Sequence, residues 1–316
     1  MALTERELIL KRSKRKGQFV KDLSYTLLAL PAIIWLFFFH YMPVSGIVLA
    51  FKEYRFNEGI FGSQWIGFKN FEFFFKSTDA LVVLRNTIGY HIIIMFVLNL
   101  IGGMIVALML YEVRSKFANK LYQTSMIIPD FISWIIISYI AYLFLNPEDA
   151  GILNQIINFF GGESINWYNE PSYWPFIIIF FQCWRAVGMA SLYYYAALLA
   201  IDPCLFEAAS LDGAGKFRQI WHVSVPELMP MACIVLITQL GGILNSNFDM
   251  YYQLPMNSGA LYPATDVIST YIYRGLVQGS IGPTAAVGLF QNFVGCILIL
   301  LTNGLIKKIS PENAMF

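Results

Sequence analysis

EAASLDGAGKFRQIWHVSVPELMP, residues 207–230, is a polar, charged stretch set between two long apolar runs. Its helix punctuation falls at fixed places. Asp202 can cap a helix start, and Pro203 suits the first turn of that helix. Gly213 lets the helix stop, and a second short amphipathic piece runs from Lys216 to Val223. Pro226 disfavours helical geometry at Val225 and opens the next apolar segment. The stretch therefore reads as two short helices bent at a glycine and held at a membrane surface.

Working outward, the chain of 316 residues is 57% hydrophobic and only 13% charged, with a mean hydropathy of +0.59. Soluble domains carry about 25% charged residues, and a soluble chain of this size cannot bury so much apolar surface. It reads as an integral membrane protein. A spanning helix needs about 20 predominantly apolar residues, and six candidates meet this: 24–45, 87–111, 121–146, 173–201, 227–250 and 285–306. No stretch alternates in the manner of a membrane β-barrel. The first candidate follows a basic start but lacks a small-residue cleavage site, since Tyr41, Met42 and Pro43 come there instead. It reads as a retained helix.

Lysine and arginine placement orients the chain. With the N-terminus inside, inner segments carry 14 of these residues (Arg6, Lys11, Arg12, Lys14, Arg15, Lys16, Lys21, Arg114, Lys116, Lys120, Lys216, Arg218, Lys307, Lys308). Outer segments carry 6 (Lys52, Arg55, Lys69, Lys76, Arg85, Arg274), and Arg185 is left inside a span. The asymmetry places the 207–230 stretch, and both termini, in the cytoplasm. It also puts an aromatic-rich loop, 51–85, outside, where such side chains lie on the outer leaflet or meet a docking protein. A short interfacial helix is expected at Asn154–Gly161, and a helix at Asp266–Leu276 within the third external segment, 251–284. Cys183, Cys204, Cys233 and Cys296 show no paired spacing that would make a disulfide or a zinc site.

Glu207-Ala208-Ala209, Asp212-Gly213-Ala214 and Pro226 resemble the EAA loop of ABC importer permeases, particularly the maltose-type sugar permeases. The likeness extends to Phe248–Tyr251, Asp266–Leu276 and Ala286–Phe290. Gly59–Phe75 is similar to the lipoprotein-linked polysaccharide or oligosaccharide branch. Trp221, His222 and Val223 depart from the more aliphatic family pattern. The resemblance implies an all-α, polytopic membrane protein with six transmembrane helices, the type I importer (MetI-like) architecture. It would form one permease domain over 1–316, with a basic cytoplasmic N-terminus at 1–22, a transport core at about 80–306 and a coupling loop at 202–226. It implies a second permease, two cytoplasmic ATPase subunits, an extracytoplasmic solute-binding protein and an oligosaccharide substrate, in a prokaryotic cell membrane.

No cofactor, catalytic residue or metal site is expected in this chain. Gly215-Lys216-Phe217 lacks the glycine loop and following hydroxyl of a phosphate cradle. ATP and magnesium would belong to the partner ATPase. The residues expected at that contact are Glu207, Ala208, Ala209, Asp212, Gly213, Ala214, Ile220, Trp221 and Pro226, although Ile220 and Trp221 serve equally as packing within this chain. Ionisable and amide groups within spans are functional candidates by default. Gln182 and Arg185 lie one turn apart, and Asn245 and Asp249 share a face if span five is continuous. Gln291 and Asn292 stand at comparable depth on span six. Converging amides and charges would suit a polyhydroxyl ligand, which needs donors and acceptors together; the alternative is bonding between helices. Trp134, Tyr139 and Tyr193 are candidates for stacking on sugar rings or for packing. A permease for a non-sugar solute and an ion-coupled carrier remain as other readings.

Overall fold

Capping residues and prolines set where several of the helices start. The computed structural model describes residues 25–147 and 151–309. The basic start expected over 1–22 lies outside the described residues, as do Glu148 and Asp149. Helix α1 is Tyr25–Phe51, and its last part, Met42–Phe51, tightens into 3-10 geometry against the final helix. A two-residue ribbon follows, β1 (Lys52–Glu53) antiparallel to β2 (Gln64–Trp65), then α2 (Lys69–Lys76). Asn70 is buried and donates to the carbonyls of Ala50 and Lys52, both at 3.0 Å, which pins this aromatic loop to the bundle.

The long helices are α3 (Thr78–Tyr111), α7 (Trp174–Ala200), α9 (Lys216–Gly241) and α12 (Ile281–Ile309). Between them lie α4 (Lys116–Ile127), α5 (Trp134–Leu145), α6 (Ile152–Phe159), α8 (Pro203–Leu211), α10 (Phe248–Gln253) and α11 (Ile268–Val277). Among the described residues five helices are long and apolar enough to cross a membrane, and α4 with α5, a pair bent by 96°, brings the number to six when counted as one broken span. Lipid is as apolar as leucine, so small residues that allow close approach draw these helices together. A Cβ on Gly103 of α3 would lie 3.0 Å from the Ala190 carbonyl oxygen of α7. One core cluster joins α5, α7 and the end of α10 through Ile137, Ile178 and the α10 C-cap Leu254, all fully buried. A second, of Ala107, Tyr194, Leu198 and Leu228, lies beneath α8.

Three sequence expectations change. The second apolar piece of the 207–230 stretch is not a separate short helix: α9 runs unbroken from Lys216, and Val225 is helical (φ −63°, ψ −47°). A π turn at Ile220–Ser224 widens the helix just before Pro226 and clears the carbonyl its ring would strike. Span five ends at Gly241 rather than near 250, because Gly241 and Gly242 release the helix and Asn247 caps a new one by accepting from the Met250 N–H at 3.2 Å. Asn245 and Asp249 therefore do not share a helical face. Span three is broken in its middle instead of running through 121–146.

Candidate functional site

Two features stand out, a helical elbow projecting from one end of the bundle and a polar hollow within it. The elbow begins at Asp202, which caps α8 by accepting from the Cys204 N–H at 2.9 Å. That bond, chiefly to the backbone, holds the Asp202 carboxyl below the usual carboxylate range, so the cap is ionised at neutral pH. Gly213 takes φ +77°, and the Ala214 N–H returns to the Ala209 carbonyl at 2.9 Å to close the turn. Buried Gln219 latches the two limbs, donating to Ser210 Oγ at 2.8 Å and to the Ala214 carbonyl at 3.1 Å. Lys216 Nζ reaches Glu112 at the end of α3, at 3.0 Å.

Glu207, Ala208, Asp212, Gly213 and Pro226 are exposed, and Ala209 and Ala214 half-buried. Glu207 makes no hydrogen bond or ion pair among the described residues. Leu211 is 90% exposed and Phe217 81%, apolar side chains standing in the open on a polar elbow. Sequence reasoning missed both, because exposure of a single leucine in an amphipathic piece has no sequence signature. Ile220 and Trp221 sit apart from the turn, on the flank of α9. They line an apolar groove of about 830 Å³ with Met104 and Leu108 of α3 and Met229 of α9.

The polar hollow, about 210 Å³, lies where α9 unwinds into 242–247. Thr87, His91 and Asn99 of α3, Gln182 of α7, Gln239 of α9, and Asn245, Ser246 and Asn247 of the unwound segment line it. Among the described residues the buried Gln182 Oε1 has no hydrogen-bond partner, an acceptor left free beside the hollow. His91 Nε2 bonds the Gln239 carbonyl at 2.7 Å, which also accepts from the Gly242 N–H at 3.0 Å where α9 ends. Asn99 sits in a π segment, Met95–Gly102, which sets its register apart from the helix on either side.

Of the residues singled out from sequence, Gln182 and Asn245 come together at this hollow. Gln291 joins them indirectly, donating to Asn245 Oδ1 at 2.7 Å and to the Leu244 carbonyl at 3.1 Å. Asn292 bonds its own helix at Gly288 and lines an adjoining hollow of about 390 Å³ with Gln291 and Asn245. Asp249 is exposed in the first turn of α10 and Arg185 is engaged elsewhere; neither lines the polar hollow. Trp134 is buried, whereas Tyr139 and Tyr193 are exposed and also stand away from it. His91, Asn99, Gln239 and Asn247 were not singled out. Asn99 and Gln239 are lone amides in apolar runs and carried the same signal as Gln182.

A bundle of crossing helices, with an uncharged polar hollow at a broken helix and a helical elbow at one end, defines the membrane-embedded subunit of a transporter. The chain belongs to a family described as the binding-protein-dependent transport system inner membrane component, whose pattern matches residues 99–310. It is 37% identical over 314 residues to the polygalacturonan/rhamnogalacturonan transport system permease protein YteP of Bacillus subtilis (strain 168), covering 97% of this chain and 95% of that one. Its fold is similar to a solved chain of a bacterial ABC transporter involved in the import of the acidic polysaccharide alginate, with TM-score 0.83, 30% identity, and 94% of this chain and 99% of that chain covered. A bacterial alginate ABC transporter solved in complex with an alginate pentasaccharide-bound periplasmic protein matches with TM-score 0.82 and 30% identity, over 93% and 97% of the two chains. This chain is thus a permease subunit of the inner membrane.

Proposed function

We propose that the chain is the membrane-spanning subunit of an ATP-driven importer of oligosaccharides or polysaccharide fragments, and supplies half of the pathway. The observation that carries this is the pairing of the Gly213 elbow, with Glu207, Leu211 and Phe217 unsatisfied at its surface, with an amide-lined hollow in the same bundle. Amides offer donors and acceptors side by side, which a polyhydroxyl ligand requires. Relatives named for galacturonan and alginate transport support sugar polymers as the substrate class.

The other half of the pathway is a second permease, a different chain by the pattern of maltose-type systems. Two ATPase subunits bind ATP and magnesium and receive the elbows on the cytoplasmic side, and an extracytoplasmic binding protein delivers the sugar. The termini lie in the cytoplasm in this reading, which the lysine and arginine asymmetry supports. ATP closes the ATPase pair and draws the elbows together, which favours the outward-open state of the hollow; hydrolysis resets it. ATP shifts this equilibrium only through its different affinity for the two states. The test is co-purification of the ATPase with the permease, followed by hydrolysis assayed with and without sugar-loaded binding protein. Attachment with sugar-dependent stimulation is expected. A permease that never retains an ATPase refutes the reading. Thermal-shift screening of the binding protein against oligosaccharides identifies the sugar.

A further inference from the structure

The break in span three is written in its sequence. Pro129 has no N–H to return to the preceding turn, so α4 gives way to a 3-10 turn at Ile128–Phe131. Ser133 then caps α5, its hydroxyl accepting from the Ile136 N–H. At membrane depth such a break strands carbonyl groups that only protein can satisfy. Arg185 of α7 satisfies them. Its Nη2 donates to the Asp130 carbonyl at 2.9 Å and its Nε to the Ile132 carbonyl at 3.3 Å. The same guanidinium stands 3.9 Å from Asp130 Oδ1 and 4.9 Å from the Trp134 ring centroid. Three residues on, along the same face of α7, a Cβ on Gly188 would fall 2.1 Å from the Met126 carbonyl oxygen. The glycine admits the end of α4, and the arginine secures what lies beyond it.

The joint separates two arms with different attachments. On α4, Asn119 donates to Tyr195 Oη at 2.8 Å, and Tyr195 packs in the cluster that includes Phe206 of α8. On α5, Ile137 and Ala141 share a core with Met250 and Tyr251, which border the polar hollow. We propose that Arg185 is a positioning residue that fixes the angle between the arm tied to the elbow and the arm packed on the hollow, so that displacement at one reaches the other. Lysine is no equivalent: a single ammonium lacks the planar fork that reaches two carbonyls and a ring at once.

The test uses the complete complex of both permeases and the ATPase pair in nanodiscs, with Cys183, Cys204, Cys233 and Cys296 replaced by serine and Asn245→Cys as reporter. The rate of labelling by a water-soluble maleimide is read without nucleotide and with ATP plus vanadate. With Arg185 present, ATP–vanadate should change the rate by about fivefold or more, the lower edge of ordinary coupling between sites. In Arg185→Met the complex should assemble and the two rates become equal. An unchanged ATP–vanadate response in Arg185→Met overturns the proposal, as does an absent response with Arg185 in place. If Arg185→Met does not assemble, Arg185→Lys decides. Recovered assembly with a diminished response supports the proposal, while a full response, or failure of both variants to assemble, makes the residue a requirement for charge or folding alone and overturns it. The inference rests on the importer reading, and failure of that reading shows separately, as an ATPase pair that never binds the unmutated permease.

Discussion

Replacing Gly213 by valine changes the backbone of the elbow and little else. The residue sits at φ +77°, and among the described residues nothing lies within 4 Å of the Cβ it lacks, so an added Cβ meets no steric wall there. The cost is purely conformational. Left-handed geometry costs an ordinary residue about 1–2 kcal/mol, and a β-branched one fares worst. A strain of that size is small beside the 5–15 kcal/mol stability of a typical domain, but it is a factor of about 5–30 in an equilibrium. Membrane insertion and permease pairing should therefore survive Gly213→Val, while affinity for the ATPase falls about 5–30-fold. Gly213→Asn is the control, because asparagine tolerates this region. The assay is titration of detergent-solubilised permease pair with ATPase, followed by pull-down or interferometry. If valine and asparagine bind alike, the positive φ has no part in docking and the reasoning fails.

Four further outcomes follow from named contacts. Glu207→Lys should leave the permease pair intact and weaken ATPase retention in co-purification, since Glu207 is exposed and, among the described residues, unpaired; retention at the unmutated level would make it a solvent-facing carboxylate. Gly188→Ala places a methyl where the Met126 carbonyl already stands, and overpacking costs about 1–3 kcal/mol, so the melting temperature of the purified complex should drop by several degrees. Gln182→Ala and Asn245→Ala each remove a partner worth about 0.5–1.5 kcal/mol, and should raise the half-saturating sugar concentration in transport about 2- to 12-fold with assembly unchanged. A cysteine at Gly162 should react with an impermeant label from outside, and a reporter fused after Phe316 should read as cytoplasmic; labelling of Gly162 only from inside would invert the topology.

Much of the elbow was legible because its residues act locally. Asp202 caps, Pro203 starts a helix and Gly213 stops one for reasons confined to a few bonds, and each does so in the structure. Pro226 misled because proline terminates helices only when the turn before it is regular; the π turn at Ile220–Ser224 absorbs the clash. The end of span five misled in the opposite sense. Leu240–Asn247 reads as part of an apolar run, yet Gly241-Gly242 and the cap at Asn247 divide it, and the hollow exists because of that division. Long-range partnerships left no trace in the sequence. Arg185 read as either a pathway charge or a bond between helices, because nothing local announces which break, here one 53 residues earlier, takes its guanidinium. Gln291 likewise gave no sign that it would hold Asn245.

The central claim is that this bundle carries sugar inward at the expense of ATP hydrolysed by another chain. Uptake of labelled oligosaccharide into proteoliposomes holding both permeases and the ATPase pair, with binding protein outside and ATP inside, tests it most directly. Uptake should require internal ATP and external binding protein together, and should persist when proton and sodium gradients are collapsed. Accumulation driven by either gradient without ATP would contradict the account.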